Sequence, residues 1–160
     1  LIRSLLDMLR LRSGPQELPA AKGLAFLLAL AYVLLGLATD RMLDGADGGP
    51  RSLIAIAVQF GAIVVLLNTR RLASRIPQTV SALAGTGFLF GLLSLAVLSQ
   101  VQRGEPQPGL ATLYLGLFAW SLAVDAHIYR HALSTTMSFG LLVAVLIFGA
   151  NFMILRAVFG

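Results

Sequence analysis

Hydrophobic positions along this chain fall into five long blocks, separated by short charged breaks. Blocks beginning near Ala21, Ser52, Thr79, Gly109 and Ser134 carry almost no charge. Each is about 17 to 25 residues long, close to the ~20 that a helix rising ~1.5 Å per residue needs to cross a ~30 Å hydrocarbon core. The pattern predicts an all-α polytopic membrane protein, a compact bundle of five transmembrane helices. The expected spans are 19–39, 52–68, 79–100, 109–127 and 134–159, together forming one domain over 19–160. The second is the shortest, with Gln59 in its middle, and is expected to be sheltered from lipid. The fifth is longer than a bilayer requires and is expected to tilt or protrude.

Ahead of these spans the period changes. In Leu1 to Ser13, Ile2, Leu5, Leu6 and Leu9 recur at helical spacing, with Arg3, Asp7 and Arg10 on the other face. Asp7 is spaced to pair with both arginines, and Gly14-Pro15 ends the helix. The segment 1–18 is therefore an amphipathic cytoplasmic element with two readings. One is an interfacial helix on anionic lipid; the other is a short helix packed on the protein's own cytoplasmic face. It lacks the apolar core and cleavage site of a secretory signal, and a chain starting at Leu1 is expected to have lost its initiator Met.

Composition agrees with the pattern. Hydrophobic residues make up 58% of the chain, charged ones 12%, and mean hydropathy is +0.86, which excludes a soluble domain. The net charge of +5 is explained by topology instead of nucleic acid, since no basic run alternates with exposed aromatics. With the N-terminus cytoplasmic, that side holds Arg3, Arg10, Arg12, Lys22, Arg70, Arg71, Arg75 and Arg130. The other side holds Arg41, Arg51, Arg103 and Arg156, so eight of the twelve basic residues obey the positive-inside rule. The C-terminus is then expected on the outer side. Asp40, Asp44, Asp47 and Glu105 fall in the outer loops, where Asp40 to Arg51 reads as a flexible acidic turn without the spacing of an EF-hand.

Small residues concentrate in the third span. Gly87 and Gly91 form a GxxxG pair, Ala84 extends that face and Gly85 lies beside it. Close backbone approach is what small residues offer in a bilayer, so this span is expected to be the packing centre. Its groove would take another span of the same chain or a second protomer. Gln59, Asn68, Thr86 and Gln100, with Trp120 and Asn151, are the polar groups in or at the ends of spans. They read as packing and register devices; the alternative makes Gln59, Asn68, Thr86 and Gln100 the lining of a pore. No ionisable group falls near a bilayer midplane in this reading, which argues against an ion pump.

Chemistry is sparse. The absence of cysteine excludes disulfides, iron–sulfur clusters and thiol catalysis. The segment Asp125 to His131, DAHIYRH, is expected between the fourth and fifth spans, with both histidines beside Arg130 and Asp125 paired to an arginine. His127 and His131 are four apart and could share a metal ion or haem, with Asp125 and Tyr129 nearby. Two histidines without a third strong ligand are a weak pattern, and no cofactor is expected. No nucleophile elbow, Walker, Rossmann or HExxH motif occurs, so the chain does not read as an enzyme.

From Arg75 to Gly87 the sequence runs RIPQTVSALAGTG, followed by FLFGLLSLAVL, and Trp120 to Leu133 reads WSLAVDAHIYRHAL. These segments resemble the bacterial branch of the Yip (Ypt/Rab-interacting protein) domain family. Gln78, Thr79, Gly85 and Thr86 hold the places of that branch's Gln-Thr and Gly-Thr. The resemblance implies a compact five-helix domain with a cytoplasmic N-terminus and, with the charge-based topology, a bacterial inner-membrane location with the C-terminus periplasmic. The Rab contact of eukaryotic relatives does not carry over, because the acidic cytoplasmic segment and its DLYGP-like motif are missing.

The leading expectation is a non-enzymatic inner-membrane scaffold or accessory subunit of a larger membrane complex. Its spans would pack against other membrane subunits, and Arg3, Arg10, Arg70, Arg71 and Arg75 would face anionic lipid or an acidic partner. A small oligomeric channel or transporter is the alternative, and a metal- or haem-binding protein using His127 and His131 is the third.

Overall fold

In a computed structural model of the chain, residues 1–44, 50–101 and 107–160 are described. The protein is 85% helix with no strand among them. The helices are α1 (Ile2–Leu9), α2 (Lys22–Asp44), α3 (Arg51–Thr69), α4 (Ile76–Leu98), α5 (Pro108–Ala132) and α6 (Met137–Phe159), with short 3-10 turns at Pro15–Glu17 and Ala73–Arg75. The five from α2 to α6 are each long and apolar enough to cross a membrane. Internal pairing of every backbone N–H and C=O is what a bilayer demands of a spanning segment.

Each long helix touches two principal neighbours. α2 packs on α4, α4 on α5, α5 on α6, α6 on α3, and α3 returns to α2, so the five close into a ring. α4 is the most enclosed, with Thr79, the unbroken run from Ser81 to Thr86, Phe90 and Val97 buried. Around the outside, large apolar side chains are left bare: Phe26 and Leu27 on α2, Leu115 on α5, Leu146 and Met153 on α6. A surface so continuously apolar is suited to lipid and not to water.

Two helix crossings need glycine. A Cβ on Gly87 would stand 2.7 Å from the Tyr32 ring of α2, and one on Gly140 would run into the carbonyl oxygen of Ala126 in α5. The groove of Ala84, Gly87 and Gly91 is thus filled from within the chain, by Tyr32 and Leu35.

The helices α1, α3 and α5 end by one device. The residue after the cap is left-handed in each: Leu11, Arg71 and Ser134, with φ of 59°, 59° and 52°. Two backbone bonds then close the end, for example from Thr135 N–H to the Arg130 carbonyl and from Ser134 N–H to the His131 carbonyl. This is the Schellman arrangement, which normally recruits glycine. α2 starts, α3 ends, α4 starts, α5 ends and α6 starts at the same end of the ring, which carries Arg70, Arg71, Arg75 and Arg130 and is called the basic end below.

Two expectations change. α5 does not stop at 127 but runs to Ala132, so Asp125 to His131 forms its last turns and is not a loop. Charge had marked the boundary, yet nothing in AVDAHIYRHA breaks a helix. α2 likewise continues to Asp44, which puts Asp40 inside a helix. Its carboxylate accepts from the Ser52 backbone N–H at 2.9 Å and hydroxyl at 2.8 Å, capping α3 from the neighbouring helix. Asp47, Arg103 and Glu105 lie outside the described residues.

The amphipathic α1 lies in the groove between α4 and α5. Leu5, Met8 and Leu9 turn inward, and Leu5 sits against Gly85. Midway along α5, the Trp120 indole N–H donates to the Leu9 carbonyl at 2.9 Å. Ile2 and Leu6 remain exposed with Arg3 and Arg10, so the expected apolar stripe is divided between the bundle and the surroundings. Arg3 bridges Asp7 at 4.0 Å.

Candidate functional site

Helical periodicity of ~100° per residue sends positions two apart to nearly opposite faces. In α5 this separates two sets of side chains. Asp125 and Tyr129 turn to the inside of the ring, while His127 and His131 turn to the N-terminal segment. The structure therefore corrects the idea that Asp125 and Tyr129 stand near the histidines.

On the inside, Gln59 of α3 donates through Nε2 to Asp125 Oδ2 at 3.1 Å and to the Tyr129 hydroxyl at 3.2 Å. The expected arginine partner of Asp125 is absent: among the described residues it is Gln59 that meets the carboxylate. An ionisable side chain thus sits within the ring, about two turns from the basic end of α5, whereas it was expected in the loop between the fourth and fifth spans. Uninterrupted helix-compatible sequence through Asp125 was the signal for it. A charge count that ends a span at the first acid hides it.

Above this group lies a cavity of about 410 Å³. Tyr32, Gln59, Asp125 and Ser121 line its inner part, and Asp40 and Ser52 line it toward the other end of the ring. A second space of about 160 Å³ continues between α3, α5 and α6, and it too is lined by Tyr32, Gln59, Asp125 and Tyr129. Asn151 of α6 also faces it, and its buried Oδ1 has no hydrogen-bond partner. Buried amide oxygens are rarely left unpaired, and this one borders open space that a water can occupy.

The remaining polar candidates do not join that cavity. Asn68 donates to the Val64 carbonyl, Thr86 to that of Ala82 and Gln100 to that of Ala96, each within its own helix. Thr86 is buried, whereas Asn68 and Gln100 are exposed. The fold of one chain therefore does not bring Gln59, Asn68, Thr86 and Gln100 together: of the four, Gln59 alone lines the cavity.

No family model matches the chain, and no curated protein or solved structure does either.

The two histidines pack edge to face, ring centres 4.6 Å apart. His127 Nε2 lies 2.9 Å from the Ser13 carbonyl, which fixes the proton on that nitrogen. His131 Nε2 accepts from Arg130 Nη2 at 3.2 Å, and its Nδ1 faces the Gln16 side-chain amide at 3.4 Å. Both rings thus serve to hold the N-terminal segment, and no cluster of three metal-ligating side chains occurs among the described residues.

The basic residues also divide. Arg3, Arg10, Arg70 and Arg71 are exposed, with the Arg70 guanidinium over the Phe139 ring. Arg75 turns inward instead. Its Nη1 donates to the carbonyls of His131 and Ala132 and to the Ser134 hydroxyl, at 3.3, 2.9 and 2.7 Å. A cation at a helix C-terminus is favourably placed against the helix dipole. Gln78 ties the N-terminal segment to α4 by donating to the Leu18 carbonyl at 2.8 Å.

Proposed function

We propose that this chain is a non-enzymatic, multi-pass protein of the transporter or channel class, whose ring of helices binds a small cationic solute with Asp125 as its counter-charge. The observation that carries this reading is Asp125 itself. It is an acid inside a membrane helix, lining a 410 Å³ cavity and bonded to a neutral amide instead of a basic residue. A carboxylate away from water needs a cation or a proton. The volume falls within the range of small-ligand sites. Tyr32, Ser121 and Asn151 supply further polar contacts to a guest. In this reading the basic end faces the cytoplasm of a bacterial inner membrane.

The test is flux and binding in proteoliposomes, with a panel of inorganic and organic cations. Wild-type protein is expected to take up or bind at least one of them saturably, and Asp125→Asn is expected to lose it. Equal behaviour of wild type and Asp125→Asn across the panel would sink the reading.

A second reading is an accessory subunit of a larger membrane complex, consistent with the compact domain that the Yip resemblance implies. The observation favouring it is small-residue surface left open: Gly61 on α3 and Gly116 on α5 have no neighbour within 4 Å of a built Cβ. Such surface admits close helix packing from another protein. A stoichiometric membrane partner recovered on extraction into nanodiscs supports it, and a chain recovered alone argues against it.

A further inference from the structure

A separate pocket of about 380 Å³ lies at the basic end, between the Pro15–Glu17 turn, the start of α4 and the α5–α6 connection. Its polar walls include Arg75, Gln78, Arg130, His131, Ser134 and Thr135, and among the described residues no acidic side chain lines it. Two guanidinium groups therefore face one space without a carboxylate to balance them.

The donors in that space are only partly used. Among the described residues, Arg130 Nε is buried and has no hydrogen-bond partner, and the same holds for Thr135 Oγ1. Arg75 commits a single nitrogen, Nη1, to its three acceptors. The backbone explains the arrangement. The closing bond from Thr135 N–H to the Arg130 carbonyl, 2.8 Å, brings the Thr135 residue back beside Arg130. The left-handed Ser134 makes that return possible.

Unpaired buried donors converging with two fixed positive charges describe a site for an oxyanion. We propose that this pocket binds a phosphate group, held by Arg130 and Arg75 with Thr135 as a neutral donor. The phosphate belongs either to an anionic phospholipid headgroup or to a free phosphate species. The site lies at the end of the spanning helices, the level at which headgroups are met, and basic pockets between spans on that side are suited to them. This inference does not depend on the cation cavity, which lies on the other face of α5.

The experiment uses the full chain, delipidated in neutral detergent. Inorganic phosphate is titrated in one arm, and phosphatidylglycerol in mixed micelles in the other, with phosphatidylcholine as the zwitterionic comparison of zero net charge. Saturable binding is expected in at least one anionic arm, weakening about tenfold in Arg130→Gln through loss of a charge-assisted contact. Thr135→Val, which leaves the charge unchanged, is expected to weaken it less, and the exposed Arg71→Gln not at all. Phosphatidylglycerol binding without phosphate binding assigns a lipid headgroup; binding of both assigns the phosphate group alone. No saturable binding in either arm overturns the proposal. So does binding that Arg130→Gln and Thr135→Val leave as strong as in wild type, which would indicate diffuse attraction to the exposed arginines. Should Arg130→Gln fail to fold, Thr135→Val carries the test.

Discussion

Gln59 reaches across from α3 to bond both Asp125 and Tyr129 of α5, joining two helices that are not principal neighbours in the ring. Its one amide nitrogen supplies both bonds, so the pair of acceptors depends on a single side chain. Gln59→Leu is expected to lower stability by about 1–3 kcal/mol, because two inward-facing polar groups lose their donor. Asp125→Asn retains an acceptor for Gln59 and is expected to cost less. Thermal unfolding of the two variants in detergent checks the order, and a Gln59→Leu protein as stable as wild type would contradict it.

The contact of α5 with α6 rests on Gly140. Gly140→Ala places a methyl against the Ala126 backbone carbonyl, which cannot swing aside as a side-chain tip can. A loss of about 1–3 kcal/mol is expected from overpacking. Gly149→Ala, on the same helix with open space around it, is expected to be neutral or slightly stabilising. Comparing the two melting temperatures separates crossing geometry from helix propensity.

Trp120→Phe keeps an aromatic ring beside Phe90 but removes the indole N–H to Leu9 and some ring volume. α1 is expected to loosen while the ring of five helices persists. Hydrogen exchange over Ile2–Leu9 should quicken several-fold, corresponding to about 1 kcal/mol for one lost bond, with exchange in α4 unchanged.

Arg71 holds a left-handed conformation on an exposed turn. Arg71→Gly is expected to stabilise the protein by up to about 1 kcal/mol, since glycine adopts that conformation without a Cβ clash. A melting temperature that falls would show that the arginine side chain contributes more than the backbone strain costs.

The chain has no cysteine, so single cysteines report topology without background. Arg71→Cys and Gly160→Cys are expected to react with impermeant thiol reagents from opposite sides of the membrane, since α4, α5 and α6 lie between them. Labelling of both from one side would contradict an odd number of crossings after Arg71.

By itself the sequence determined the number of long helices and the class of the fold. Unbroken apolar blocks at bilayer length leave the backbone no partner but itself, so helix is forced wherever charge is scarce. The small residues of α4 also announced a closely packed helix, because in lipid only backbone approach distinguishes an interface from a lipid-facing surface. Which faces turn inward was decided by tertiary structure alone. Lipid and core are equally apolar, so hydropathy gives Tyr32, Gln59 and Asn151 no direction, and their meeting around Asp125 depends on the order in which the ring closes. Asp125 and Arg130 were placed outside a span for the same reason. A charge reads as a boundary along the chain, whereas in three dimensions a neighbouring amide or an inward-facing pocket accommodates it.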